Sequence, residues 1–209
     1  MLAELTVKEF LDKVAGSDPV PGGGSVAALN GAVASALTAM VAGLTIGKKG
    51  YEELEVLMTH LSRLSIRQQE VFVEYIDRDS EAYDHVFGCF TLPKSTDEEK
   101  AARSAAIQEA TRFAALVPMQ VARNACELME IIADVARLGN QNAITDACVA
   151  MMAARSAVLG ALLNVRINLG SLKDKTFVDE LKREADHLEQ LACMREKELL
   201  EVVNQELNQ

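Results

Sequence analysis

Several kinds of chemistry have no foothold in this sequence. Cys89, Cys126, Cys148 and Cys193 stand far apart with no CxxC pair among them. They read as reduced thiols of a cytoplasmic protein. There is no basic cluster and no low-complexity tail, and the 209 residues carry a net charge of −10. Such a balance argues against nucleic acid as a partner, although a small anion remains welcome wherever amide donors or local cations meet it. His60, His85 and His187 are scattered without HExxH or any other ligand spacing, so no metal site is expected. A Ser or Cys nucleophile motif is missing as well. The opening "MLAELTVKEF" already contains Glu4 and Glu9 and lacks the layout of a signal peptide. Strand-like alternation and internal repeats are equally absent.

What is present is helix. Apolar residues make up 49% of the chain, enough for one domain with a proper core. Thr6 with Glu9 three residues later forms a capping-box pattern, predicting a helix to about Ala15. Gly16 to Ser25 reads as loop, Val26 to Ile46 as helix, and "GKKG" as a turn. From Glu52 to about Phe90, Leu54, Leu57, Leu61, Leu64, Val71 and Tyr75 recur at helical spacing. After the loop and cap "LPKSTDEE" a helix runs to about Leu116, and Pro118 predicts a kink or a fresh start. The next helix stops at Gly139-Asn140. Thr145 or Asp146 caps another reaching about Asn168, and the last spans Asp174 to about Asn204. The expectation is an all-α bundle of long antiparallel helices forming a single domain over residues 1–209.

The stretch "DPVPGGGSVAALNGAVASALTAMVAGLTIGKKGY", Asp18 to Tyr51, is the most unusual. No charge occurs from Val26 to Ile46, a length that would span a bilayer. Asn30, Ser35, Thr38 and Thr45 interrupt it, however, and no other stretch of that length is uncharged; a buried bundle helix is expected, and no membrane. "GGGSVA" lacks the preceding strand that a dinucleotide loop requires. "GLTIGKK" is one residue short of a P-loop and has Lys49 where Ser or Thr should stand. The glycines are therefore either a flexible linker or a place where a ligand approaches the backbone at a helix N-terminus rich in free amides. Ala27, Gly31, Ser35, Ala39 and Gly43 form a ridge of small residues at spacing four, suited to close helix packing within the domain or across a dimer.

Two helical faces carry polar residues in apolar company. Asp79 shares its face with Phe72, Ile76, Tyr83 and Val86, whereas Asp77 falls beside Val73, Ser80, Glu81 and Asp84 and reads as solvated. An acid in an apolar stripe is either paired with an Arg or Lys from another helix or is an acid/base with a raised pKa. Further on, Asp146, Ala150, Ala153, Ala157, Gly160, Asn164 and Asn168 share one face. That face is either a pocket wall or tight packing with satisfied amides.

The segments "PVPGGGSVAALNGAVASALTAMVAGLTIGKKGY", "DRDSEAY", "LVPMQVA", "GNQNAITD" and "LLNVRINL" occur in an order that resembles the cyclodeaminase family. This is the formimidoyltetrahydrofolate cyclodeaminase domain, whose members also include methenyltetrahydrofolate cyclohydrolases. The resemblance spans almost the whole chain and implies an all-helical homodimer acting on a tetrahydrofolate, with no cofactor beyond that substrate. It implies closure of 5-formimidoyltetrahydrofolate to the 5,10-methenyl form with loss of ammonia. Hydrolysis of the methenyl ring and non-catalytic folate binding are the alternatives. The family's catalytic aspartate is the second Asp of a D-x-D-x-E-A-aromatic motif, which matches Asp79, with Tyr83 as the aromatic. Candidates for binding the folate are Pro21, Gly22, Gly23, Gly24 and Ser25 of the loop, Asn140 and Asp146 of "GNQNAITD", and Asn164 and Asn168 of "NVRIN". Lys48 and Lys49 are either a solvated turn or the meeting point for the glutamate tail. Thr145 stands where relatives often have Ser and keeps the hydroxyl. Bifunctional relatives carry a glutamate formiminotransferase domain before this one, so a separate formiminotransferase is an expected partner here.

Overall fold

The computed structural model describes residues 1–207. Six helices follow in order: α1 (Val7–Val14), α2 (Gly23–Gly43), α3 (Glu55–Cys89), α4 (Asp97–Leu138), α5 (Ile144–Leu169) and α6 (Lys175–Leu207). Short 3-10 turns cover Leu2–Glu4, Glu52–Leu54 and Gln141–Ala143. Among the described residues there is no strand, so the expected all-α bundle is what forms.

The helix starts follow from local chemistry. Thr6 and Glu9 close the capping box of α1, and Thr96 with Glu99 does the same for α4. Each satisfies amides that the first turn leaves without carbonyl partners. Asp174 accepts the Phe177 amide at 3.1 Å and opens α6. At α5 the expected caps do not act: the N-cap is Ala143, and Asn140 instead accepts the Asn142 amide to start the 3-10 turn before it. The helix α2 begins earlier than its apolar run suggests, with Gly22 as N-cap and Gly23 and Gly24 already in the first turn.

The largest departure from expectation is α4. Pro118 lies inside one continuous helix of 42 residues, so the fresh start allowed for there does not occur. Proline removes an N–H and leaves the carbonyl four residues earlier without its helical partner. That carbonyl belongs to Ala114, and the Asn168 side chain donates to it at 3.1 Å. A neighbouring helix thus supplies the missing hydrogen bond.

The core lies between α2, α3, α4 and α5. Phe72, Met129, Ile132 and Leu162 are fully buried there, each contributing roughly 1.5–3 kcal/mol by burial. The first part of the small-residue ridge of α2 is spent inside the domain: Ala27, Gly31 and Ser35 are buried, whereas Ala39 is half-buried and Gly43 exposed. A Cβ on Gly31 would lie 2.6 Å from Phe72 Cδ1, and a Cβ on Gly160 of α5 would lie 3.3 Å from that of Ala27. Ser35 and Thr38 are buried but donate to their own helix, to Gly31 O at 2.9 Å and Ala34 O at 2.7 Å. By length and composition α2 and the segment Gln141–Leu169 are each apolar enough to cross a membrane, and half of each apolar window is buried within the bundle. The outer helix α6 is held by Leu181, Ala185, Leu188 and Ala192 and by a two-pronged Arg123–Glu184 pair at 2.6 and 2.7 Å.

Candidate active site

The N-terminus of α2 meets the C-terminal third of α3 at Asp79. Gly22 has no side chain with which to cap α2, and a carboxylate from the neighbouring helix takes that place. Asp79 accepts from the Ser25 backbone amide, and its Oδ2 lies 3.4 Å from Ser25 Oγ. The approach depends on Gly24: a Cβ there would sit 2.1 Å from Asp79 Oδ1 and 2.4 Å from its Cγ. Here glycine is required by contact, since any side chain would displace the carboxylate. Burial pushes the Asp79 carboxyl above the usual aspartate range, opposed by the hydrogen bonds from Ser25. Among the described residues no Arg or Lys pairs with it. The structural ion pair left open by the sequence is therefore not what buries this acid.

Asp79 forms part of the wall of a cleft of about 370 Å³. Gly22, Gly23 and Gly24 form one side, Tyr83 and Val86 continue the Asp79 face, and Asn164, Ile167 and Asn168 close the other side. Asn164 Nδ2 donates to Gly160 O at 2.9 Å, and Asn168 Nδ2 donates to Asn164 O at 2.9 Å as well as to Ala114 O. These bonds fix both amides through their nitrogens, leaving carbonyl oxygens as acceptors beside the cleft. Tyr83 stacks on Phe87 with centroids 6.4 Å apart, making a flat aromatic edge at the opening.

The predicted site residues divide into two groups. Gly22, Gly23, Gly24, Asp79, Tyr83, Asn164 and Asn168 meet at this cleft. Pro21 and Ser25 are buried just behind it, Ser25 as the residue that orients Asp79. Lys48, Lys49, Asn140 and Asp146 lie beyond the other end of α2, roughly 30 Å away at 1.5 Å per residue. There Lys48 Nζ donates to Asn140 Oδ1 and sits 5.6 Å from the Tyr51 ring centroid, while Asn140 donates to Leu44 O at 3.2 Å. Within one chain these four residues do not line the Asp79 cleft. Asp77 is not simply solvated either: its carboxylate accepts the Leu2 and Ala3 amides and ties the N-terminal turn to α3. On α5, the predicted small-residue face splits. Ala150 and Ala157 are core, and only Asn164 and Asn168 reach the cleft.

The match to a family model described as formiminotransferase-cyclodeaminase covers residues 6–187. The chain belongs to this family. A methenyltetrahydrofolate cyclohydrolase of Methylorubrum extorquens is 40% identical over the full length of both chains. The formimidoyltransferase-cyclodeaminase of Rattus norvegicus is 32% identical over 91% of this chain, which spans only 35% of that longer protein. A crystal structure of formiminotetrahydrofolate cyclodeaminase from Thermotoga maritima superimposes with a TM-score of 0.85 at 32% identity, covering 97% and 99% of the two chains.

Seen as a cyclodeaminase-family site, the cleft gathers four separated sequence segments: the glycine loop, "DRDSEAY", the helix around Pro118, and "NVRIN". Sequence reasoning missed Pro19, Val20, Ala82, Val86, Ala114, Ile167 and Ser171 as site residues, which also line it. Ala82 was within reach, being three residues from Asp79 on the same helix. So was Ala114, as the carbonyl that Pro118 orphans. Ser171 lies in the α5–α6 connection and gave no signal at all.

Proposed function

We propose that this protein is a formimidoyltetrahydrofolate cyclodeaminase, with Asp79 as the group that moves protons. The observation carrying this reading is the Asp79 carboxyl itself: buried, raised in pKa, free of a cationic partner and open to a cleft. Ser25 Oγ has a single proton and a shorter bond, 2.8 Å, to Ile76 O. Asp79 Oδ2, at 3.4 Å, is its longer and weaker partner. Protonated Asp79 donates to the imino nitrogen as N10 attacks the formimidoyl carbon, forming the C–N10 bond and a tetrahedral centre. The carboxylate then takes the N10 proton and returns it to the amino nitrogen. Cleavage of that C–N bond releases ammonia and leaves the 5,10-methenyl cation, one proton having been drawn from solvent overall. The Asn164 and Asn168 oxygens are placed to accept from ring N–H groups of the folate.

The relative named methenyltetrahydrofolate cyclohydrolase, identical at 40% over both full lengths, favours a second reading in which water attacks the methenyl carbon in the same cleft. One experiment separates the two. Purified protein is given 5-formimidoyltetrahydrofolate while methenyl absorbance and ammonia are followed, then 5,10-methenyltetrahydrofolate while loss of that absorbance is followed. Ring opening alone would replace the first reading with the second, and inactivity in both assays would remove the enzymatic proposal.

A homodimer formed through α2 and α5 belongs to the same proposal. Val33, Met40 and Leu44 on α2 and Val149, Met152, Leu163 and Ile167 on α5 are 41–75% exposed. Large apolar side chains exposed in this number on two adjacent helices are seldom left to water. Ile167 also lines the cleft, so a second copy on this face would border the site. If the two copies ran antiparallel, the Lys48 end of one would lie towards the Asp79 end of the other.

A further inference from the structure

Pro118 acts twice on the carbonyl of Ala114. It has no N–H to offer the residue four places earlier, and its ring crowds that same oxygen. What Ala114 O receives instead is the bond from Asn168 Nδ2 at 3.1 Å. Ala114 and Asn168 both line the Asp79 cleft, and Pro118 is buried. The repair of the helix is therefore made in the wall of the site.

An Asn carboxamide has a donating end and an accepting end and can be turned either way. At Asn168 the direction is forced. Nδ2 lies 3.1 Å from Ala114 O and 2.9 Å from Asn164 O, and a turned amide would set Oδ1 against two carbonyl oxygens. Both amide protons are thus spent on the protein, and Oδ1 is left for the cleft. Asn164 is anchored within its own helix, through Nδ2 to Gly160 O at 2.9 Å. Among the described residues nothing donates to either Oδ1, and neither oxygen is sealed from the surface. The α5 wall presents acceptors only. One of them depends on a bond that any other residue at position 118 would contest, because its N–H would claim Ala114 O. Held by Asn164 O alone, the amide could swing and bring a donor round to the cleft.

We infer that Pro118 is a positioning residue for this site. By leaving Ala114 O to Asn168, it holds that carboxamide with its oxygen towards the cleft, so that α5 receives the N–H-bearing edge of the substrate ring. The identity of that ring rests on the folate reading above; the hold on the amide rests on the geometry alone.

Alanine at 118 restores an N–H and suits a helix, so Pro118→Ala is expected to fold. In side-chain amide NMR of the free wild-type protein, the Asn168 Nδ2 protons should exchange with solvent about tenfold more slowly than an exposed amide. Pro118→Ala should speed that exchange about threefold or more, one of the two bonds being contested. Kinetics then follow whichever folate the wild-type protein converts. Pro118→Ala should raise KM by about threefold to tenfold, the worth of one hydrogen bond and one loosened side chain, with kcat changed by less than about twofold. Asn168→Ala should raise KM at least as much, and adding Pro118→Ala to it should raise KM no further. A general loosening of α4 would instead add its own effect in the double variant. Unprotected Asn168 protons in the wild type, an unchanged KM in Pro118→Ala, a loss of kcat in place of the rise in KM, or additive effects on KM would each overturn the role of Pro118 while leaving the folate reading standing. Wild-type protein that converts neither folate would defeat the folate reading, and the amide exchange rates would still decide whether Pro118 holds Asn168.

Discussion

The fit between Gly24 and Asp79 predicts that a single methyl group inactivates the enzyme. In Gly24→Ala the new Cβ would find Asp79 Oδ1 at 2.1 Å, whereas ordinary contact begins near 3.4 Å. The carboxylate or the start of α2 must therefore shift by at least about 1.3 Å. Both Gly24 and Ser25 are buried, and α2 is wedged against α3 and α5, so the flexible partner is the Asp79 side chain. Moving it weakens the Ser25 contacts and withdraws the acid from its place in the cleft. A misplacement of about 1 Å typically lowers turnover about 10²-fold. The assay is kcat, per folded molecule, for whichever of the two folate conversions the wild-type protein performs, with helical content checked by circular dichroism. Gly23→Ala is the comparison: its Cβ would lie 3.4 Å from Asn164 Nδ2, an ordinary contact, so its loss should be far smaller. A Gly24→Ala enzyme with wild-type kcat would show that the Asp79 position does not matter to the chemistry.

Asp79→Asn should lower kcat by about 10²-fold or more without a matching loss of stability. Burial favours the protonated carboxyl, so the folded pKa lies above the unfolded one. Wild-type stability from this group therefore falls as pH rises through that window and stays lowered above it; relative to wild type, the Asn variant should gain in thermal melts over the same range, and a proportionate loss of stability and activity would refute the catalytic role. Asp77→Asn is no silent control, because Asp77 holds the Leu2 and Ala3 amides. Asn168→Ala leaves Ala114 O unpaired and should reduce stability by about 1 kcal/mol in urea denaturation. The loss should be smaller in a Pro118→Ala background, where the restored N–H returns to that carbonyl, and strict additivity would count against the repair. Met40→Glu places a charge on the exposed α2 face and should shift sedimentation from dimer to monomer. A wild-type protein sedimenting as a stable monomer would sink the dimer.

The helices were legible because their signals are local. The capping boxes at Thr6 and Thr96 need only residues three apart, and the periodicity of α3 repeats within a single turn. Pro118 defeated the same reasoning, because its rescue comes from Asn168, 50 residues later and on another helix. Proline argues against helix only while no partner takes the freed carbonyl. The Asn140 turn failed for a related reason. Thr145 and Asp146 had the chemistry of a cap for α5, but its N-cap is Ala143, and Asn140 instead starts the preceding 3-10 turn while Thr45 Oγ1 accepts its amide at 2.9 Å from across the bundle.

The site was legible to the extent that one helix could report it. Asp79 was visible as an acid among Phe72, Ile76 and Val86 because its face is set by α3 alone. Its lack of a cation was not, since that depends on every helix packed nearby. The same limit explains why Lys48 and Lys49 looked suited to a glutamate tail. They follow the glycine loop closely in sequence, but a helix of 21 residues turns that closeness into a distance of roughly 30 Å. Lys173, more than 90 positions beyond Asp79, comes nearer because α5 returns along α2 and sets its C-terminus beside the start of that helix. In an antiparallel bundle, residues separated by two helix lengths meet and those separated by one do not. Sequence order therefore gives no distance between a basic residue and the cleft, whereas the bond from Gln108 to Ser171 O ties the connection that carries Lys173 to the cleft rim.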